Sequence, residues 1–322
     1  MAGEGEFDFI RTRLAPLTRG HPAALGLADD AAVLTPAPGC QLVVASDMLV
    51  GGVHFLDSDA PEVVAERCVR SNLSDLAAMG AEPLGYLGSI AWPRDLPQVW
   101  RDGFVDGLAS AQEAFALNLL GGDTTAGPGP LTVSLTMLGQ LPTGTALLRR
   151  GAQPGDDVWV SGSIGDARLG LDIARGVMSA DPVLLERYRR PSPRLALGQA
   201  LRGLATACLD VSDGLMADAG HIAQASGVGL ELKAEQVPFS PQARAWMKGR
   251  GQDGLVDLVC GGDDYELLFC AAPTQRDPLA ALAERLCVPL TRIGTVIGGQ
   301  GAVMRDASGV PLDTGTGGFT HF

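Results

Sequence analysis

The order of apolar and polar positions predicts strands alternating with helices through both halves of the chain. Apolar runs that end in small residues are predicted strands running into tight turns. In the first half, the predicted strands are 41–46, 84–92 and 131–138, and the predicted helices are 6–17, 61–80 and about 96–116. The strand over 41–46 delivers Asp47 to its end, and the short apolar run 117–120 ends in a turn formed by GGDTT. In the second half, the predicted strands are 158–161, 207–211, 229–233, 266–271 and 291–297, and the predicted helices are 165–176, 181–204, 212–226 and 276–286. This alternation indicates an α/β or α+β protein.

The length of 322 residues predicts two domains of roughly 150 residues each. The stretch 142–157 is rich in turn-forming and charged residues. We therefore place the boundary there and predict domains over 1–142 and 143–322. No internal repeat is visible.

Six short segments set aspartate beside Gly, Ser, Thr or another Asp, next to an apolar run. They are 26–33, 46–55, 71–80, 121–125, 210–215 and 261–267. Carboxylates gathered from several turns repel one another and need cations. Hard oxygen ligands suit Mg²⁺, which usually works with phosphates. The sequence thus predicts a magnesium-dependent enzyme acting on phosphate esters, with several Mg²⁺ ions held by Asp30, Asp47, Asp75, Asp123, Asp210 and Asp213.

The composition narrows the class of protein further. The formal net charge of −13 argues against a nucleic-acid partner or an anionic membrane surface, which need basic patches. No apolar run approaches the ~18 residues of a membrane span, and none near the start is long enough for a signal peptide. Six scattered cysteines without a CxxC pair favour reduced thiols. We expect a cytoplasmic protein.

Several common phosphate and metal motifs are absent from the sequence. Its two lysines, Lys233 and Lys248, do not follow glycine, which excludes a GxxxxGK[ST] phosphate loop. Neither a GxGxxG helix opening nor an HExxH motif occurs. With so little lysine, Arg149 and Arg150 are the best candidates among the protein cations for binding phosphate. Ser212 and the glycines of GGDTT offer hydroxyl and backbone N–H donors.

Each feature taken alone has a structural explanation. An Asp-Gly pair is most often a turn or a helix cap. Arg149 and Arg150 could be a solvated loop pair, and His54 and Phe319 could serve packing only. Six such sites in one acidic chain are not explained by turns alone, so their joint occurrence favours a functional site.

The order of the motifs carries a resemblance to a known family. GLADDAAVL, SDMLVGGVHF, RSNLSDLAAMGAEP, GGDTT, LLRRGAQPGD, LDVSDGL, GGDDYEL and GFTHF follow one another from Glu6 to the C-terminus. In this order and spacing the chain resembles the thiamine-monophosphate kinases. They belong to the superfamily of aminoimidazole ribonucleotide synthetase and selenophosphate synthetase.

The resemblance implies an aminoimidazole ribonucleotide synthetase-like fold and ATP-dependent phosphorylation of thiamine monophosphate to thiamine diphosphate by direct transfer. It implies an N-terminal domain that binds metal and ATP and pairs two chains into a homodimer, and a C-terminal domain that completes the ATP and substrate site. It assigns Ser46 to the metals beside the six aspartates, and Gly122, Asp123, Arg149 and Ser212 to ATP. His54, Asp263 and Phe319 match substrate contacts: an aromatic face can stack on a cationic ring, and a carboxylate can accept from an amino group.

Some positions depart from the family pattern, and other functions stay open. Ala28, Ala45, Gly51 and Asp263 stand where Gly, a hydroxyl residue, Glu and Glu are usual. One alternative is another ATP-using enzyme of the superfamily, such as a ring-closing synthetase. A second is a silent protein that binds Mg·nucleotide, and a third is a metal-dependent phosphatase. The sequence names no general base, and an acceptor phosphate with a second pKa near ~6 needs none.

Overall fold

A computed structural model describes residues 6–315 and 318, and the chain divides into two compact units. Unit 1 comprises Met1–Leu76 and Glu82–Thr143, and unit 2 comprises Ala77–Ala81 and Gly144–Phe322. Both units combine a sheet with helices. The predicted α/β class with two domains is confirmed.

Unit 1 is a four-stranded sheet with two long helices. Its strands are β1 (Cys40–Val50), β2 (Glu82–Pro93), β3 (Leu119–Gly127) and β4 (Thr132–Pro142), and its helices are α1 (Glu6–Phe9), α2 (Pro61–Ala78) and α3 (Gln98–Phe115). The last two residues of α2 belong to unit 2. A π-helical turn (Ile10–Leu14) and 3-10 turns (Ala15–Thr18 and Pro22–Leu27) follow α1. The strand order is β1-β4-β2-β3, with β2 and β3 parallel and the other pairs antiparallel.

One face of the unit 1 sheet is covered by helices. Trp92 on β2 packs edge-on against Phe104 of α3, with ring centroids 5.5 Å apart. The backbone N–H of Asp47 on β1 donates to Asn72 Oδ1 of α2 at 3.1 Å. On the other face, β1 exposes Leu42, Val44 and Met48. The sheet therefore has one buried face and one open face.

Two predictions for unit 1 were wrong in detail. Asp47 was expected at the end of a strand over 41–46, but β1 continues to Val50. GGDTT was expected to form a turn, but residues 121–125 lie inside β3. The glycine pair suggested a turn, and the parallel pairing of β3 with β2 supplies backbone hydrogen bonds that keep the segment extended.

Unit 2 is a six-stranded sheet with seven helices among the described residues. Its strands are β5 (Asp157–Ser161), β6 (Ala207–Asp210), β7 (Gly229–Lys233), β8 (Leu267–Ala271), β9 (Leu290–Ile297) and β10 (Gly301–Arg305). Its helices are α4 (Asp166–Ala174), α5 (Pro182–Arg189), α6 (Leu195–Leu201), α7 (Leu215–Ser226), α8 (Pro241–Met247), α9 (Gly251–Cys260) and α10 (Arg276–Leu286). The strand order is β10-β7-β9-β5-β8-β6, and only the outer pair β10–β7 is parallel.

The central strands of unit 2 are buried on both faces. Along β8, Leu268 and Cys270 pack into one apolar cluster. Leu267, Phe269 and Ala271 pack into another. Successive side chains of a strand point to opposite faces, so helices cover both sides of this sheet. This explains why β8 appears in the sequence as an unbroken apolar run.

Unit 2 also departs from the sequence prediction in its helices. The helix predicted over 181–204 is two helices, α5 and α6, because Pro191 and Pro193 lie between them. Helices α8 and α9 and the strand β10 were not predicted.

Among the described residues no helix combines the length and apolar character that a membrane crossing requires. The six cysteines are free thiols, and Cys68, Cys208 and Cys270 are buried.

Candidate functional site

In unit 1, β1 and α2 hold two of the candidate metal ligands. Asn72 has no exposed surface; its Oδ1 accepts from the Asp47 backbone and its Nδ2 donates to the Cys68 carbonyl at 2.8 Å. Asp75 follows Asn72 by three residues on the same helix, which places it about one turn further on. Burial raises the pKa of the Asp47 carboxyl above its usual range, and His54 acts in the opposite direction. A partly buried carboxylate of this kind is stabilised by a cation.

Gly122 and Asp123 lie on β3, at the opposite edge of the sheet from β1. Gly122 has φ +153°, and a Cβ atom there would collide with the Gly88 carbonyl of β2. Only glycine therefore permits this close pairing of the two strands. The next residue, Asp123, is exposed on the open face of the sheet.

The strand register fixes which unit 1 candidates are neighbours. Ser46 pairs with Thr136 of β4, and their hydroxyls are hydrogen-bonded at 3.1 Å. Asp47 and Asp123 lie three strand spacings apart, which is about 14 Å. Oxygen ligands of one Mg²⁺ ion lie within about 4 Å of each other. Within one chain, Asp47 and Asp123 therefore cannot bind the same ion.

His54 lies in a tight turn after β1. Its Nδ1 accepts from the Val50 backbone N–H at 3.0 Å, and its carbonyl accepts from Arg67 Nε at 3.1 Å. Because Nδ1 is an acceptor, the proton of the neutral ring is on Nε2. His54 can therefore donate one hydrogen bond through Nε2, which suits a phosphate oxygen. Asp30 lies in an exposed bend before β1.

In unit 2, the turn between β6 and α7 carries three of the candidates. Asp210, at the end of β6, is buried, while Ser212 and Asp213 are half-buried in the turn. Asp218 in the first turns of α7 is also buried, and its Oδ2 accepts from the backbone N–H groups of Ser212, Asp213 and Gly214, each at 3.1 Å. Asp218 thus fixes the backbone of the turn that presents Ser212 and Asp213.

The charges around this turn fit a cation. Burial, with repulsion from Asp210 and Asp213, raises the pKa of Asp218 to about 8, although hydrogen bonds from the turn oppose the shift. His221 Nε2 lies 4.0 Å from Asp213 Oδ2. Carboxylates that repel one another at a half-exposed turn form a donor set suited to a hard divalent ion such as Mg²⁺.

Arg149 lies on a loop that runs beside β6. The Leu148 carbonyl accepts from the Cys208 backbone N–H at 2.8 Å, so the loop extends the edge of the sheet. Ser226, the last residue of α7, donates to the Arg149 carbonyl at 3.2 Å and accepts from Gly151 N and Ala152 N at 3.1 and 3.2 Å. These hydrogen bonds therefore fix the backbone from which the exposed Arg149 side chain extends.

The segment with Asp263 packs directly on the β6–α7 turn. Asp263 N donates to the Ser212 carbonyl at 2.8 Å, and a Cβ atom at Gly262 would collide with that same oxygen. Phe319 lies outside the described residues. Its neighbour Gly318 is described, and a Cβ atom there would lie 2.7 Å from the Asp213 carbonyl.

The structure thus brings the candidates together in groups within each unit. Asp47 and Asp75 share one region of unit 1, and Asp123 lies at the far sheet edge. In unit 2, Asp210, Ser212, Asp213 and Asp263 lie at the β6–α7 turn, whereas Arg149 lies on the loop that is bonded to the C-terminal end of α7. Sequence reasoning missed Asn72, Asp218 and Ser226, which act on the backbone of these groups. Of the three, only Asp218 had a sequence signal, an acidic residue in the first turns of a helix after a predicted turn.

Two family profiles match most of the chain. Residues 28–141 match the N-terminal domain of AIR synthase related proteins. Residues 153–306 match the C-terminal domain of the same family.

Individual relatives are similar over nearly the whole chain. The thiamine-monophosphate kinase of Caulobacter vibrioides is 48% identical over 299 residues, which cover 92% of this chain and 85% of the relative. The crystal structure of thiamine-monophosphate kinase from Stenotrophomonas maltophilia is 43% identical, with a TM-score of 0.83, over 93% of this chain and 96% of that one. A solved complex, AaThiL with AMPPCP and TMP, is 30% identical, with a TM-score of 0.79, over 99% of this chain and 97% of that one.

Proposed function

Since this chain belongs to the AIR synthase related proteins and, among them, to the thiamine-monophosphate kinases, we propose that it phosphorylates thiamine monophosphate to thiamine diphosphate with ATP. The observation that carries this proposal is the likeness, over 99% of the chain, to a structure that holds AMPPCP and TMP together. AMPPCP is an ATP analogue, so that complex represents a nucleotide and an acceptor bound at the same time. Transfer is direct and in line, because positioning and charge neutralisation can supply most of the catalysis of phosphoryl transfer.

The reaction requires Mg²⁺. When bound, Mg²⁺ neutralises phosphate charge and helps to align the two reactants. The ligands are Asp30, Ser46, Asp47, Asp75, Asp123, Asp210 and Asp213. The raised pKa of Asp218 beside Asp210 and Asp213 supports this, because a cation would relieve the repulsion between these carboxylates.

The chain's own groups bind and orient the two substrates. Arg149 pairs with phosphate through its planar guanidinium, and the Ser212 hydroxyl and the Gly122 backbone donate to ATP. His54 donates from Nε2 to the acceptor, since its Nδ1 is already bonded to the Val50 backbone N–H. Asp263 accepts from the amino group of the aminopyrimidine, and Phe319 stacks on the thiazolium ring.

The two domains have separate roles in this proposal, and the protein acts as a homodimer. Residues 1–142 bind metal and ATP and pair with a second copy, and residues 143–322 complete the ATP and substrate site. The exposed Leu42, Val44 and Met48 on edge strand β1 support pairing through unit 1. An edge strand with an open apolar face tends to associate with another chain. The cytoplasmic location expected from the composition stays a prediction.

The homodimer also resolves the separation of Asp47 from Asp123. About 14 Å of sheet lies between them in one chain, which is too far for a shared ion. A second copy that pairs with the first through unit 1 brings its own Asp123 to the first copy's Asp47. Each complete metal site then contains residues of both chains.

The first experiment is product chromatography after incubation of the purified protein with Mg²⁺, ATP and thiamine monophosphate. A parallel reaction contains thiamine, and another contains EDTA in excess of Mg²⁺. We expect thiamine diphosphate from the monophosphate, one ADP per product, and no product with EDTA.

Other outcomes identify the alternatives. ADP without thiamine diphosphate would indicate another ATP-using enzyme of the superfamily. Phosphate release without ATP would indicate a phosphatase. Binding of Mg·ATP without ADP formation would indicate a silent nucleotide-binding protein.

A further inference from the structure

The segment 261–266, between α9 and β8, has an unusual backbone. Asp263 has φ +71° and Tyr265 has φ +51°, although neither is glycine. Aspartate tolerates this left-handed region, but a bulky residue such as tyrosine rarely enters it. Such conformations persist only where surrounding contacts enforce them.

Strong contacts anchor Asp264 and Glu266, the two residues that alternate with Asp263 and Tyr265. Asp264 is buried, and its carboxylate accepts from the Gly165 backbone N–H at 2.9–3.0 Å. Glu266 has no exposed surface and accepts from Arg187 at 2.6 Å, Arg194 at 2.5–2.6 Å and Ser161 at 2.6 Å. These anchors fix the inward side of the segment.

The backbone of the strained residues is bonded to the β6–α7 turn. Asp263 N donates to the Ser212 carbonyl and Tyr265 N donates to the Val211 carbonyl, both at 2.8 Å. The Asp263 and Tyr265 side chains are half-buried, in contrast to their buried neighbours. The segment thus presents this pair beside the turn that carries Ser212 and Asp213.

Within the pair, the Tyr265 hydroxyl donates to Asp263 Oδ1 at 3.2 Å. A carboxylate on a short side chain can rotate about its Cβ–Cγ bond, and a hydrogen bond to one oxygen restricts that rotation. A bond to a charged acceptor is worth more than one between neutral groups. The strained φ of Tyr265 is therefore linked to the orientation of the Asp263 carboxylate.

We propose that Tyr265 is a positioning residue for acceptor recognition, because its hydroxyl sets the Asp263 carboxylate at the angle that receives the amino group of an aminopyrimidine. This rests on the proposed function, in which Asp263 binds the acceptor. The Tyr265 hydroxyl acts through Asp263 and has no part in ATP binding. It compensates for a side chain one methylene shorter than the glutamate usual in the family.

A double-mutant cycle of Tyr265→Phe and Asp263→Ala tests this role. We expect Tyr265→Phe to raise the KM for thiamine monophosphate about tenfold and to leave the KM for ATP within about twofold. In the Asp263→Ala background, Tyr265→Phe should have no further effect on the KM for thiamine monophosphate. For a variant too slow to assay, calorimetry gives the Kd of thiamine monophosphate in the presence of Mg²⁺ and AMPPCP.

Tyr86→Phe is the matched control, because it also removes one tyrosine hydroxyl, here a buried one hydrogen-bonded to Gln112 in unit 1. It should lower the melting temperature without changing either KM. Equal effects of Tyr265→Phe in both Asp263 backgrounds, or an equal rise in the KM for ATP, would overturn the positioning role while the proposed function stands. A wild-type protein that neither binds nor converts thiamine monophosphate would overturn both.

Discussion

Single residues in this protein combine high burial with charge, and Glu266 is the strongest case. Burial alone would raise the pKa of its carboxyl, but hydrogen bonds and charge from Arg194, together with Arg187 and Ser161, bring the pKa below its usual range. A group with a lowered folded-state pKa contributes stability above its unfolded pKa, and this contribution is lost as the pH falls through the folded pKa. Removing one partner of a buried ion pair costs about 3–5 kcal/mol.

We therefore predict that Glu266→Gln lowers the melting temperature strongly at pH 7. The difference from wild type should shrink as the pH falls below about 4, because the wild-type carboxyl then takes up a proton. Thermal unfolding followed by circular dichroism between pH 3.5 and 8 measures this. The exposed Glu284→Gln is the control and should match wild type, and a difference independent of pH would contradict the ion-pair explanation.

At the scale of single residues, the sequence predicted candidate site residues that have characteristic neighbours. It did not predict the residues that hold them in place through hydrogen bonds. Asp210 and Asp213 were predicted because a strand end and a glycine turn surround them. Asn72 and Ser226 were not, because their roles depend on backbone groups 25 and up to 77 residues away along the chain. No local pattern encodes such a contact. The strained φ of Tyr265 is likewise invisible in the sequence.

Among the elements, helix α7 holds in place, through hydrogen bonds, two segments to which we assign ATP binding. Asp218 near its N-terminus fixes the turn with Ser212, and Ser226 at its C-terminus fixes the loop with Arg149. Asp218 and Ser226 are eight residues apart on α7, which sets about 12 Å along the helix axis between the two held segments.

Loss of the Ser226 hydrogen bonds at the C-terminal end of α7 should weaken ATP binding. We predict that Ser226→Ala raises the KM for ATP about three- to tenfold, because three hydrogen bonds to the Arg149 loop are lost. The KM for thiamine monophosphate should not change. Steady-state kinetics measures both, with the exposed Ser308→Ala as control and Ser226→Thr as a rescue that keeps the hydroxyl. An effect of equal size in Ser226→Thr and Ser226→Ala would argue against the hydroxyl.

Element types were predictable from the sequence where patterning and end signals agreed, as in α2, with Pro61 at its start and Gly80 after its end. Element types were not predictable where the local composition favoured one structure and the tertiary contacts imposed another. The glycines of GGDTT favoured a turn, but pairing with β2 made a strand. The short α8 and α9, of 7 and 10 residues, carry too few turns for a clear periodic pattern.

For the whole molecule, the order of motifs along the chain was enough to predict the family and the two-domain fold. The assembly was not predictable from residue patterns, because no interface can be read from one chain. The strand order β1-β4-β2-β3, with Asp47 and Asp123 at opposite edges, supplies an argument that the sequence lacks.

Mixed dimers of Asp47→Asn and Asp123→Asn test the shared site. Each variant alone should lose about a thousandfold in kcat, roughly 4 kcal/mol of transition-state stabilisation. In a mixed dimer, one composite site carries both changes and the other carries neither, so about half of the wild-type activity should return. The two chains are co-expressed with different affinity tags, purified through both, and assayed.

The exposed Asp95→Asn, outside the candidate set, is the single-chain control and should keep wild-type activity. A mixed dimer that forms but stays inactive would show that each site is built from one chain. A single variant with near-normal kcat would contradict its role as a metal ligand.

The left-handed backbone at Asp263 and Tyr265 has a consequence for directed evolution. Aspartate already tolerates this region, but tyrosine rarely enters it, and glycine at position 265 would relieve the strain at no steric cost. A selection for heat resistance alone should therefore accept Tyr265→Gly variants. The resulting variants would be more thermally stable and would have lost their selectivity for the acceptor. This is the usual trade-off between stability and function at a strained site.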